Sequence, residues 1–167
     1  GASRAAAEAG IPLSVHLPGW ERLGGQVLDV AYENGCKNGQ VVLCHMNPSF
    51  DDLRYQIDLA QRGAWIEYDM IGMDFFYADQ DAQCPYDTEN ANSIKFLVDE
   101  GFGHQILLSQ DVFIKMMLKS YGGNGYSYIL KYFKDRLIRT GLSYEQFMSI
   151  LTINPKSCFE ALNRTNS

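Results

Sequence analysis

The chain alternates short apolar runs with longer amphipathic stretches. Four runs read as strands: Leu13–Leu17 behind Pro12, Val41–Cys44, Ala64–Tyr68 and Ile106–Ser109. Between them lie stretches of helical period. Residues 20–34 carry Leu23, Val27, Val30 and Ala31 on one face and stop at Gly35. Residues 51–61 place Leu53, Ile57 and Ala60 together and stop at Gly63. Residues 90–100 turn Ile94, Leu97 and Val98 inward and stop at Gly101. An Ala-rich helix over 3–9, ended by Gly10, precedes the first run. The C-terminal part is helical: one helix over 127–139, a capping box of Ser143 with Gln146, and Asn154-Pro155 opening a short last helix.

Apolar runs without clean alternation, separated by helices, predict a parallel sheet covered on both faces. Four βα units fit a flavodoxin-like sheet or half of an eight-stranded barrel. No Gly-rich phosphate loop follows the first strand, which weakens the nucleotide-binding version.

Composition narrows the classes. Of 167 residues, 46% are hydrophobic, enough for one sizeable core. No apolar run reaches the roughly 18 residues of a membrane span and no signal-peptide pattern is evident, so a cytoplasmic protein that avoids membranes is expected. Net charge is -6 and the 14 basic residues are scattered, which argues against a nucleic-acid partner. Cys36, Cys44, Cys84 and Cys158 form no CxxC and read as reduced thiols. The Asn-Arg-Thr sequon at Asn163 carries no weight without a signal peptide.

Three polar residues close apolar runs at equivalent places. His16 ends the first, His45 the second and Asp111 the fourth. In a parallel sheet those C-terminal ends lie side by side, where barrels and open sheets build their active sites. Neutral imidazoles with a carboxylate suit zinc and similar divalent ions, so His16, His45 and Asp111 are expected to converge on a metal site. His104 precedes a strand and is expected at the opposite end, in solvent.

These residues carry a resemblance. VHLPGW (15–20), VVLCHMNPSFDDL (41–53), WIEYDMIGMDFF (65–76) and ILLSQDVF (106–113) resemble, in order, strands five to eight of the phosphotriesterase-related branch of the amidohydrolase superfamily. NPKSCF (154–159) is similar to that family's closing segment, and HLPGW with YDMIGMDFFYADQ resembles its resiniferatoxin-binding, phosphotriesterase-related subgroup. The resemblance implies an α/β fold, the C-terminal half of a TIM (β/α)8 metal-dependent hydrolase barrel, with residues 1–167 as one partial domain. It implies two divalent metal ions, zinc by expectation: His16 and His45 on one, Asp111 on the other. A bridging hydroxide would attack a small-molecule ester, lactone, amide or phosphotriester, with Asp111 taking its proton. The family's HxH pair and its bridging Lys or Glu have no counterpart in the sequence. The missing N-terminal half-barrel is therefore an expected partner, supplied by the same protein or by a second copy in a homodimer.

The family pattern also turns Tyr68, Asp69, Met73, Asp74 and Phe76 toward the substrate. Asp69 has a second reading, as the group that orients a metal-bound histidine. Asp51 and Asp52 read as helix-capping carboxylates. Trp20 would wall the pocket or pack on a helix, and Tyr121–Gly125 would form a lid. The alternative function is a non-catalytic small-molecule-binding protein on the same scaffold. Four strands cannot close a barrel and leave two open edges. The 167-residue chain expressed by itself is therefore expected to aggregate or pair with another half, and a cooperative unfolding transition of its monomer would contradict this.

Overall fold

A computed structural model describes residues 1–160; the Asn163 sequon lies outside them. The chain opens with α1 (Ala2–Ala9), closed by Gly10 in the left-handed conformation at φ 63°. There follow β1 (Leu13–Val15), α2 (Gly24–Glu33), β2 (Val41–Leu43), α3 (Leu53–Gln61) and β3 (Trp65–Tyr68). A two-stranded ribbon, β4 (Phe76–Tyr77) and β5 (Ala82–Gln83), interrupts the rhythm before α4 (Asp87–Asp99) and β6 (Ile106–Leu108). Three short helices end the described chain: α5 (Lys134–Arg139), α6 (Tyr144–Met148) and α7 (Asn154–Glu160).

β1, β2, β3 and β6 form a four-stranded parallel sheet in that order. The register aligns Val15 with Leu43, Leu43 with Ile66, and Ile66 with Ile106. Leu43, Ile66 and Ile106 are fully buried in the main core, packed with Leu28, Ile57, Ile94 and Leu97 from the helices. Fully burying one such side chain contributes about 1.5–3 kcal/mol, so this helix-covered face dominates the fold's stability. Because side chains alternate along a strand, Ser14, Val42, Cys44, Trp65, Glu67 and Leu107 take the other face. There Val42 and Trp65 pack with Cys158 of α7, which Asn154 ties to the start of β6 through the Gly103 and Ile106 carbonyls, at 2.8 and 2.7 Å. Among the described residues, no helix is long and apolar enough to cross a membrane.

Local signals hold at most ends. Asp52 caps α3 by accepting the Tyr55 N–H at 3.1 Å, and Ser143 with Gln146 forms the expected box. Asp51 instead pairs with Arg22 at 2.5 Å. Two readings change. In α2 the buried residues are Gly24, Leu28 and Ala31, while Val30 is 57% exposed, because the helix packs one step round from its apolar pattern. The helix expected over 127–139 contains a π turn at Ile129–Phe133 before α5, which buries Ile129 and Phe133 together. His104 sits exposed in a 3₁₀ turn ahead of β6, as expected.

The loops leaving β1 and β2 pack at van der Waals limit. A Cβ on Gly19 would stand 2.7 Å from the His45 carbonyl oxygen and 2.8 Å from Pro48 Cγ. Backbone cannot yield as a side-chain tip can, so Gly19→Ala must push the two loops apart. We expect a loss of about 1–3 kcal/mol, as in overpacked cores, read as a lower thermal midpoint. An unchanged midpoint would show that these loops are free to separate.

Candidate functional site

Beyond the C-terminal ends of the strands the chain passes directly into loops, and there the polar residues collect. His16 follows β1, His45 lies two residues past β2, Asp69 follows β3 and Asp111 lies three residues past β6. A cavity of about 640 Å³ is lined by His16, His45 and Asp111 on its polar side, and by Trp20, Met70, Met73, Tyr77 and Phe113 on its apolar side. The Trp20 and Tyr77 rings, both on its wall, meet edge to face at 5.7 Å. No Lys or Arg is among the described lining residues.

The two histidines are arranged as a pair. His45 Nε2 lies 2.9 Å from His16 Nδ1, with the rings 73° apart. Asp69 sets the geometry of His45. Its carboxylate accepts the His45 main-chain N–H at 3.0 and 3.1 Å and the ring Nδ1–H at 3.0 Å. With the ring proton held on Nδ1, the lone pair of Nε2 faces the cavity. That hydrogen bond is also the main reason His45 holds its proton more tightly than a free histidine; burial opposes it, and the charges of Asp69, Asp111 and Glu67 add to it.

The backbone is strained where the chemistry sits. His45 has φ 58° and Asp111 φ 40°, two of three non-glycine residues in the left-handed region among those described. Such conformations cost about 1–3 kcal/mol and persist only where the surroundings fix them.

Beneath the histidines runs a polar layer on the strand face opposite the main core. Ser14 Oγ meets Cys44 Sγ at 3.0 Å, and the Cys44 thiol donates to Glu67 Oε2 at 3.1 Å. Ligand atoms of Cys44, Glu67 and Asp69 lie within 4.8 Å of one another. Burial pushes the Cys44 thiol up to about 12, and burial likewise raises the Glu67 carboxyl, against the Cys44 hydrogen bond that lowers it. It is a hydrogen-bonding layer with a thiol that resists ionisation.

Of the residues expected to touch substrate, Met73 is buried and lines the cavity. Tyr68 is corrected: it points to the helix side, fully buried, with its hydroxyl donating to Gln56 Oε1. It falls one residue out of phase with Glu67 and Asp69, so the pleat turns it away. Asp69 is also corrected, since His45 occupies its carboxylate; its second reading, orienting a histidine, describes its contacts. Phe76 is 57% exposed and absent from the cavity wall; the ribbon turn gives that place to Tyr77. Asp74 accepts a hydrogen bond from Gln83 at 2.9 Å within the ribbon. Trp20 lines the cavity, whereas Gly122–Gly125 border a separate 210 Å³ cavity with Phe75, Val112 and Met117. Sequence reading missed Cys44 and Glu67, although their two-residue offsets from Val42 and Trp65 place them on the strand face opposite the main core.

Known proteins share this architecture. The family model "Phosphotriesterase family" matches residues 1–159. A phosphotriesterase-related protein of Nematostella vectensis is 30% identical over 155 residues, covering 92% of this chain and 44% of the relative. The N-acetyltaurine hydrolase of Rattus norvegicus is 33% identical over 156 residues, covering 92% and 45%. Among solved structures, a resiniferatoxin-binding protein from Rhodobacter sphaeroides superposes with TM-score 0.94 at 54% identity, covering 95% of this chain and 44% of that one. The phosphotriesterase homology protein of Escherichia coli, at 26% identity, gives a TM-score of 0.81 over 93% of this chain and 50% of that one. The chain thus spans about half the length of the relatives it matches. By that match over nearly its whole length, it belongs to the phosphotriesterase family.

Proposed function

We propose that the protein carrying this chain is a divalent-metal-dependent hydrolase of an ester, lactone, amide or phosphotriester. The observation that carries this reading is the meeting of His16 Nδ1 and His45 Nε2 at 2.9 Å on a cavity wall shared with Asp111. Two nitrogens on one tetrahedral zinc, each bonded at about 2.0–2.1 Å, stand roughly 3.3 Å apart. The pair would need to part by only a few tenths of an ångström. Two imidazoles and a carboxylate are a suitable donor set for zinc, and Asp69 fixes the His45 ring as an outer partner should. His16 and His45 would hold one ion and Asp111 would contribute to the other.

Bound ions of this kind lower the pKa of water toward about 7 and polarise a carbonyl or phosphoryl oxygen. Asp111 accepts the proton of the attacking water on its carboxylate and passes it to the leaving group. Asp69 keeps the His45 Nε2 lone pair aimed into the cavity. Met70, Met73, Trp20, Tyr77 and Phe113 enclose the apolar part of the substrate and exclude water.

In this reading residues 1–167 are one partial domain, the C-terminal half of a (β/α)8 barrel with strands five to eight. Supporting it, among the described residues β1 pairs only with β2 and β6 only with β3, and Ser14 on the inner face is exposed. The relatives are about twice as long. An N-terminal half, from the same protein or a second copy, would pair those edges and bring the remaining metal ligands. A cytoplasmic location goes with the four unpaired thiols. A second reading, a non-catalytic binder, draws on the 54% identity to the resiniferatoxin-binding protein.

Three variants test the assignment in the full-length protein. Asp111→Asn keeps the size and one oxygen but loses the charge and the proton acceptor. Hydrolysis is expected to fall by about 10²–10⁴-fold, with bound metal much less affected. His16→Ala and His45→Ala should lower metal occupancy and rate together. Near-normal turnover of metal-loaded Asp111→Asn would remove the base from the mechanism. Metal binding without turnover on any of the four substrate classes would favour the binder.

A further inference from the structure

A second tier of buried polar side chains lies behind His45, outside the cavity. Asn47 and Asn90 are both 0% exposed. The Met70 N–H donates to Asn47 Oδ1 at 3.1 Å, Asn47 Nδ2 donates to Asn90 Oδ1 at 2.9 Å, and Asn90 Nδ2 reaches the Pro85 carbonyl at 3.4 Å. The direction of every bond in this line is forced. A backbone donor stands at one end and a backbone carbonyl at the other, so each amide can face only one way. Neither aspartate nor an apolar residue of similar size can both accept from Met70 and donate onward.

The line closes a ring through the candidate site. β2 and β3 stop at Leu43 and Tyr68, so the loops beyond have no strand ladder. Three hydrogen bonds continue the pairing: His45 N–H to Asp69, Met46 N–H to the Glu67 carbonyl at 3.1 Å, and Met70 N–H to Asn47 Oδ1. In the last, a side-chain oxygen stands where a strand would offer a carbonyl. The ring runs from His45 through Met46 to Asn47, across to Met70, back one residue to Asp69, and across to His45 again. It includes the Asp69 bond to the main-chain N–H of His45, the residue with φ 58°. Asn90 anchors it to α4 and thereby to the main core, where Ile94 and Leu97 are fully buried.

We propose that Asn47, anchored by Asn90, is a positioning residue: through the Met70 N–H it sets Asp69 against His45, and so fixes the direction of the His45 Nε2 lone pair and the place of the Met70 wall. The metal part of its test rests on His45 being a ligand, as proposed above; the backbone part does not.

The experiment compares wild type with Asn47→Ala and the near-isosteric Asn47→Asp in the full-length protein. Two quantities are measured: amide hydrogen exchange at His45 and Met70, and Zn²⁺ affinity by chelator competition. In Asn47→Ala, which removes the acceptor of the Met70 N–H, protection of both amides is expected to fall by at least about tenfold while Leu43 and Ile66 keep theirs; Asn47→Asp keeps that acceptor, loses the donation to Asn90, and should show a smaller fall. Zn²⁺ affinity should weaken by about 10–100-fold, the usual effect of losing an outer partner of a ligand. A residue that merely stabilised the fold would lower the melting point and leave the folded protein's Zn²⁺ affinity within twofold; that result overturns the proposal. So does unchanged exchange at His45 and Met70. If wild type takes up no Zn²⁺, the metal reading fails, and loss or retention of amide protection still decides the ring. Should both Asn47 variants fail to fold, Asn90→Ser is measured the same way. A drop in both quantities supports the proposal and no change sinks it.

Discussion

One carboxylate sets the candidate site. Asp69 takes both the main-chain N–H and the ring N–H of His45, and so determines the backbone conformation and the ring direction together. The left-handed conformation of His45 costs about 1–3 kcal/mol. Hydrogen bonds to a charged acceptor contribute about 1.5–3 kcal/mol each. Two such bonds outweigh the strain, which is why a histidine can stand where glycine or asparagine would be the easier residue.

The sheet divides its labour by face. The helix-covered side is apolar and holds the strands through Leu43, Ile66 and Ile106. The other side becomes polar toward the loops, from Val42 and Trp65 to Cys44 and Glu67, and then to Asp69. Polar groups there are tolerable because they satisfy one another: Ser14, Cys44 and Glu67 form a hydrogen-bonded line across three strands. Among the described residues no buried side-chain polar atom lacks a partner. Those groups are therefore ordered by contacts within this strand face itself.

The pocket's character follows from the loops that close it. Trp20 arrives on the tight loop after β1, where Gly19 lets that loop lie against the His45 carbonyl. Tyr77 arrives on the β4–β5 ribbon and meets Trp20 edge to face. With Met70, Met73 and Phe113 they make an apolar wall that shares the cavity with His16, His45 and Asp111. An apolar wall opposite a few convergent polar groups is the general form of a small-molecule site.

The sequence by itself determined the features that depend on neighbours a few residues apart. The four strand runs, the stops at Gly10 and Gly101, the Asp52 cap and the Ser143–Gln146 box were all legible, as was the placing of His16, His45 and Asp111 just past strand ends. So was the family, from motifs that keep their order. Tertiary structure decided the rest. The phase of β3 turned Tyr68 into the core and Asp69 toward His45, and a one-step rotation of α2 buried Leu28 and exposed Val30. The ribbon chose Tyr77 over Phe76 for the pocket. Asn47 had no local mark at all, because its partner Asn90 is 43 residues away. Helical period and turn chemistry act over a few residues, so they can be read from the chain. Which face is inward, and which distant group satisfies a buried polar atom, is settled only when elements far apart in sequence pack together.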